Sequence, residues 1–180
     1  MFIINDNKIL LVLLTTSLII SIVYSSSTYT PLSSTKSSLS KNHKKAKINS
    51  LVISNVNNAS NASNGIMTIQ WLTFVILLLI TLAKYKEKEI PSPDIVNNNW
   101  IIWAILYLFI LCILYAVVAG SINSGALPVW EGREDKKAPI DKEIKTKLEK
   151  ARTFPIIMTV ILVIIMLVLI GKLMGNDKKE

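Results

Sequence analysis

Residues 100–119 read WIIWAILYLFILCILYAVVA, twenty consecutive positions without an Asp, Glu, Lys, Arg or His. A bilayer core about 30 Å thick is crossed by roughly 20 apolar residues rising 1.5 Å each. A helix on the surface of a soluble bundle keeps a polar face, and this stretch has none. It reads as a membrane span. Steps of four place Ala104, Leu108, Cys112, Ala116 and Gly120 on one stripe, and Trp103, Tyr107, Leu111 and Tyr115 on the next. Small residues let helix backbones approach in lipid. The small stripe, with the Ala116-to-Gly120 spacing, is therefore expected to pack on another helix.

Three further blocks lack charge: Ile9–Val23, Ile66–Ala83 and Ile156–Ile170. The expected fold is an all-α integral membrane protein. Three spans, about 66–84, 100–120 and 155–174, form a membrane domain over 66–174. An N-terminal signal peptide or fourth helix precedes them, and a polar tail at 175–180 follows. Pro91 and Pro93 stiffen the connection between the first two of these spans. Its shortness makes them antiparallel neighbours. Before the last span, Pro139–Arg152 reads as a charged helix over 139–152, with Asp141 and Glu143 at its start and Lys145, Lys147, Lys150 and Arg152 toward its end. That distribution complements the helix dipole, and Asp141–Lys145 and Glu143–Lys147 have the (i, i+4) spacing. Its apolar stripe (Ile140, Ile144, Leu148, Ala151) suits a membrane surface, a partner, or a solvated lead-in to the span. Pro155 is expected to kink or interrupt the chain there.

The N-terminal third is different in kind. Residues 1–25 have a short apolar core behind Lys8 that ends at Val23-Tyr24-Ser25, and read as a signal peptide or a signal anchor. Residues 26–65 are rich in Ser, Thr, Asn and Lys; five lysines (Lys36, Lys41, Lys44, Lys45, Lys47) face no acid between Asn7 and Lys86. Such composition buries too little apolar surface to offset ordering entropy. The segment is expected to be disordered apart from Ile48–Ile53. In composition the two segments together resemble the two-part leaders that direct proteins to plastids enclosed by extra membranes. That resemblance implies entry by the secretory route, removal of residues 1–65 and an organelle membrane; a plasma membrane or endomembrane is the alternative. Asn58-Ala59-Ser60 and Asn61-Ala62-Ser63 also fit the glycosylation acceptor pattern of a lumenal loop. A basic cytoplasmic linker is the third reading.

Charge orients such a protein through Lys and Arg near span ends. Residues 121–153 hold eight (Arg133, Lys136, Lys137, Lys142, Lys145, Lys147, Lys150, Arg152), against three in 84–99 (Lys84, Lys86, Lys88) and three after Gly171 (Lys172, Lys178, Lys179). The eight-charge loop belongs inside. A signal at the N-terminus places 25–65 outside, and counting spans then places the eight-charge loop outside too. Removal of a leader relieves the conflict.

The 180-residue chain carries a net charge of +8, which flanking lysines of membrane spans explain; no nucleic-acid-binding motif accompanies it. Cys112 is the single cysteine, so neither an internal disulfide nor a cysteine metal cluster can form. The one histidine, His43, lies in the Lys-rich segment. No phosphate-binding Gly loop, nucleophile elbow or HExxH pattern occurs. The expectation is a non-enzyme without a cofactor, whose partners are the lipid bilayer and other membrane-protein subunits, with no nucleic acid and no identifiable small-molecule substrate. The leading function is an accessory or structural subunit of a membrane complex. A small oligomeric transporter or channel, with a pore of Thr, Tyr and Gln, and a four-span surface or lumenal glycoprotein are the alternatives.

Overall fold

The computed structural model describes residues 6–46, 50–85, 99–127 and 139–176. These are all helical, with no strand among the described residues. Helix α1 is Asp6–Tyr24, α2 Thr30–Ala46, α3 Ser50–Tyr85, α4 Asn99–Gly120 and α5 Pro139–Asn176. A π-helical turn at Ser25–Tyr29 joins α1 to α2, and a second at Ser121–Ala126 extends α4. Backbone dihedrals at the ends of both turns are right-handed, so α1 and α2 form one continuous rod. Four helices are long and apolar enough to cross a membrane: Leu11–Ser40, Leu51–Leu82, Ile102–Asn123 and Lys142–Gly171. The short N-terminal apolar block thus becomes part of a fourth such helix.

Successive rods run antiparallel. Side-chain contacts fix their common level: Tyr24 on the first rod meets Ser63 on α3, Tyr115 on α4 and Phe154 on α5. The apolar stretches of all four rods lie on one side of that level. On the other side lie α2, the first half of α3, the second π turn and the first half of α5, which carry Lys36, Lys41, Lys44, Lys45, Lys142, Lys145, Lys147, Lys150 and Arg152. The two basic segments of the chain therefore share one end of the molecule.

The packed core sits largely in this polar half, and its buried positions alternate in steps of four and three. On α3 they are Val52, Val56, Ala59, Ser63, Ile66 and Gln70; on α5 they are Ile144, Leu148, Ala151, Pro155 and Leu162. Such spacing is the knobs-into-holes seam of a left-handed bundle. The first rod buries Ser21, Tyr24, Thr28, Leu32, Thr35 and Leu39, and α4 with its π turn buries Leu111, Tyr115, Val118, Ile122 and Ala126. Both seams contain two consecutive steps of four (24–28–32 and 118–122–126), and each π turn falls on that slip. A π turn accommodates one extra residue. Its wider bonds are present, from the Thr30 N–H to the Ser25 carbonyl and from the Leu127 N–H to the Ile122 carbonyl. Proline explains the position of the first turn. Pro31 would clash with the carbonyl four residues earlier, at Ser27, and that serine lies inside the π turn.

The order found in residues 30–46 and 50–65 corrects the expectation of a disordered segment. Mean composition hides a narrow seam whose burial, with α3 continuing into an apolar stretch, offsets the ordering cost. Of the two outcomes expected at Pro155, a kink or an interruption, the interruption does not occur. The charged helix expected over 139–152 is present, but α5 passes through Pro155 without interruption. The Glu143–Lys147 pair on it is formed at 2.6 Å. The side chain of Asp141, residues 86–98 and residues 177–180, on which other expectations rested, lie outside the described residues.

In the polar half the rods close into a ring: α2 on α3, α3 on the second π turn, that turn on α5, and α5 on α2. In the apolar half they form a row, α1–α3–α4–α5, in which α1 and α5 make little or no contact. At most 28% of the most apolar stretch of any rod is buried. Large side chains such as Leu13, Leu79, Phe109 and Ile164 point outward. That is the surface expected where lipid replaces water as the solvent.

Candidate functional site

Where the apolar and polar halves meet, side chains from all four rods converge. The Tyr24 hydroxyl donates to Ser63 Oγ at 2.7 Å, in a fully buried pair. The Tyr24 ring stands edge-on to Tyr115, with centroids 5.5 Å apart, and Phe154 lies 5.8 Å and 6.4 Å from the two rings. Gln70 Nε2 donates to the Tyr115 hydroxyl at 2.6 Å. Farther into the apolar half, Thr73 Oγ1 and the Tyr107 hydroxyl are 2.9 Å apart. These bonds form a polar ladder along the α3–α4 seam, with Tyr24 as its last rung.

One bond ties this layer to the backbone, and one buried amide is left incomplete. Pro155 has no N–H, which leaves the Ala151 carbonyl without its helical donor. Thr28, in the first π turn, donates to that carbonyl at 3.2 Å across the bundle. The Gln70 amide oxygen is buried and has no hydrogen-bond partner among the described residues. One amide end is orphaned whichever way the amide is drawn. Thr35 Oγ1 is the other such atom.

The chemistry available here is hydrogen bonding and aromatic packing. Tyr24 donates to a hydroxyl and Thr28 to a carbonyl, Tyr115 and Ser63 accept, and the groups named in this layer include no acid or histidine. Among the described residues, no group of three or more His, Cys, Asp or Glu side chains comes together.

An open groove of about 720 Å³ lies at the same level between the first rod and α3. Tyr29, Asn64 and Thr68 line its polar end, and Met67, Trp71, Leu72 and Val75 its apolar end.

The stripe expected to pack is only partly inward. Leu108 and Cys112 pack against the core and Ala104 is half-buried, whereas Ala116 and Gly120 are exposed. A Cβ added at Gly120 meets nothing within 4 Å. The seam runs instead through Leu111, Tyr115, Val118 and Ile122. The reason lies on the facing helix. Small residues line α3 (Ala59, Ala62, Ser63, Gly65), and a Cβ at Gly65 would stand 3.6 Å from Leu114. Large residues of α4 pack on small residues of α3. Asn58 and Asn61 lie on α3, each followed two residues on by a serine, Ser60 and Ser63, that is buried in the seam; the segment is a helix and not a loop. Thr28 and the groove carry no motif in the sequence, and the acceptor pattern that holds Ser63 does not point to its place in the seam. The step of four and three from Val52 to Gln70 is the signal that finds Ser63 there.

Comparison with known proteins returns no matching family model, no matching curated protein and no matching solved structure.

Proposed function

We propose that this chain is a four-span membrane protein that serves as a non-catalytic accessory or structural subunit of a larger membrane complex. The unclosed apolar half carries the reading. The rods seal into a ring in the polar half, yet in the apolar half α1 and α5 end a row, each with an unshared apolar flank. A solitary bundle has no use for that asymmetry, whereas a subunit offers such flanks to neighbouring membrane helices. The paired hydroxyls of the interior suit a packing role, and the uncharged apolar stretches lack the ionisable groups typical of ion paths.

Residues 6–65 belong to the working protein in this proposal. Tyr24, Thr28, Leu32 and Leu39 fill the core against α3 and α5, and their removal would open it. The leader reading and the plastid-type membrane that it implied lose weight accordingly. The buried Ser60 and Ser63 count against the glycoprotein reading, since acceptor sequences are read in exposed loops.

Purification from native membranes in mild detergent, followed by native electrophoresis and mass spectrometry, tests both points. The expected result is migration with larger membrane proteins, photo-crosslinks to them from Leu13 and Ile164, and peptides covering residues 26–65. A species near its own 20.1 kDa that crosslinks only to lipid or to itself overturns the subunit reading. A mature start near Gly65 overturns retention.

A further inference from the structure

The groove between the first rod and α3 has an arrangement that the packing of the bundle does not use. We propose that it binds one glycerophospholipid with an anionic headgroup. The polar wall (Tyr29, Asn64, Thr68) lies toward the basic half, and the apolar wall (Met67, Trp71, Leu72, Val75) runs down α3 into the apolar half. Ile66 begins the apolar stretch of α3, so the groove crosses the boundary of the molecule's two halves, with Thr68 the one polar side chain just beyond it. Headgroup and acyl chain divide at the same depth. Trp71 is 46% exposed there, an amphipathic ring at the level where such rings concentrate in membrane proteins.

Charge selects the class of headgroup. Asn61 and Asn64 share a face of α3 one turn apart. Lys36, which projects from α2, donates to Asn61 Oδ1 at 3.4 Å. Its ammonium group therefore stands one turn above the polar mouth, bonded to a neutral amide and not to a carboxylate. No Asp or Glu occurs from Asn7 to Lys86, so neither wall opposes an anion. A zwitterionic headgroup brings a second cation to this mouth, and an anionic one brings only the phosphate and neutral donors. The inference rests on the membrane location proposed above and is independent of the subunit reading.

The full chain, reconstituted into nanodiscs of equimolar phosphatidylglycerol and phosphatidylcholine and released into native mass spectrometry, tests it. The expected result is one retained lipid, with phosphatidylglycerol preferred about fivefold, the effect of one basic contact at a membrane surface. Lys36→Gln removes the preference. Lys150→Gln, an exposed lysine on α5 that does not line the groove, preserves it. Val75→Trp narrows the apolar wall and lowers retention of both lipids. Equal retention of the two lipids by the unaltered chain, or equal losses in Lys36→Gln and Lys150→Gln, overturns the proposal. A chain that does not enter the discs overturns the membrane location and this inference with it.

Discussion

Pro155 withholds the backbone donor that the Ala151 carbonyl would receive in an ordinary helix, and Thr28 supplies one from another rod at 3.2 Å. A buried carbonyl left without a partner costs about 1–3 kcal/mol. Thr28→Val keeps the shape of the side chain and removes the donor, so it should destabilise the folded protein by that amount in thermal unfolding. In a Pro155→Ala background the helical N–H is restored, and the same Thr28→Val change should lose most of its cost. Equal losses in the two backgrounds would show that the bond contributes nothing and that Thr28 acts by packing alone. Thr28 also reports how a π turn becomes useful: by admitting one extra residue, the turn delivers this hydroxyl to the carbonyl that a proline has left open.

At the scale of the element, α2 and the first half of α3 hold together through a seam of Thr28, Leu32, Thr35 and Leu39 against Val52, Val56, Ala59 and Ser63. Leu39→Ala should cost roughly 2–5 kcal/mol, the range for truncating a buried leucine. Unfolding of the purified chain measures it, and a shift indistinguishable from zero would return the segment to the disordered reading. The apolar halves of three helices are legible in the sequence because an uncharged run of that length matches the thickness of a bilayer and leaves no face for water. The polar halves are not, because two large residues on α2 and two at the start of α3 are diluted by Ser, Asn and Lys on the outer faces. An average over composition sees the outer faces. The positions that decide the fold occupy a strip along each helix. The packing stripe of α4 departs from its expected place for a related reason. Small residues mark an interface in lipid, but here α3 supplies them, and α4 answers with Leu111, Tyr115 and Val118. The groove is illegible in the sequence because Tyr29 of the first rod closes it against a face of α3, and no single stretch states that pairing.

For the whole molecule, the decisive fact is that both basic segments lie at one end. The conflict between a signal at the N-terminus and lysine-rich loops on the far side then has a second resolution. Four retained spans with residues 25–65 and 121–153 both on the cytoplasmic side satisfy the positive-inside rule. Replacing Cys112 by Ala and placing single cysteines at Ser37, Thr146 and Ser92 tests this with a membrane-impermeant maleimide on sealed vesicles. Ser37→Cys and Thr146→Cys should label together and Ser92→Cys with the opposite sidedness; labelling of Ser37→Cys and Ser92→Cys together would refute the arrangement. The boundary level itself has a structural consequence. Three of the four rods change character there, two at π turns and one at Pro155, while α3 crosses it as 36 residues of regular helix. Of its length of about 54 Å, the bilayer core spans only about 30 Å. α3 is thus the rod whose regular ladder of backbone bonds runs from the lysine-rich end into the bilayer with neither a π turn nor a proline, one strut shared by both halves.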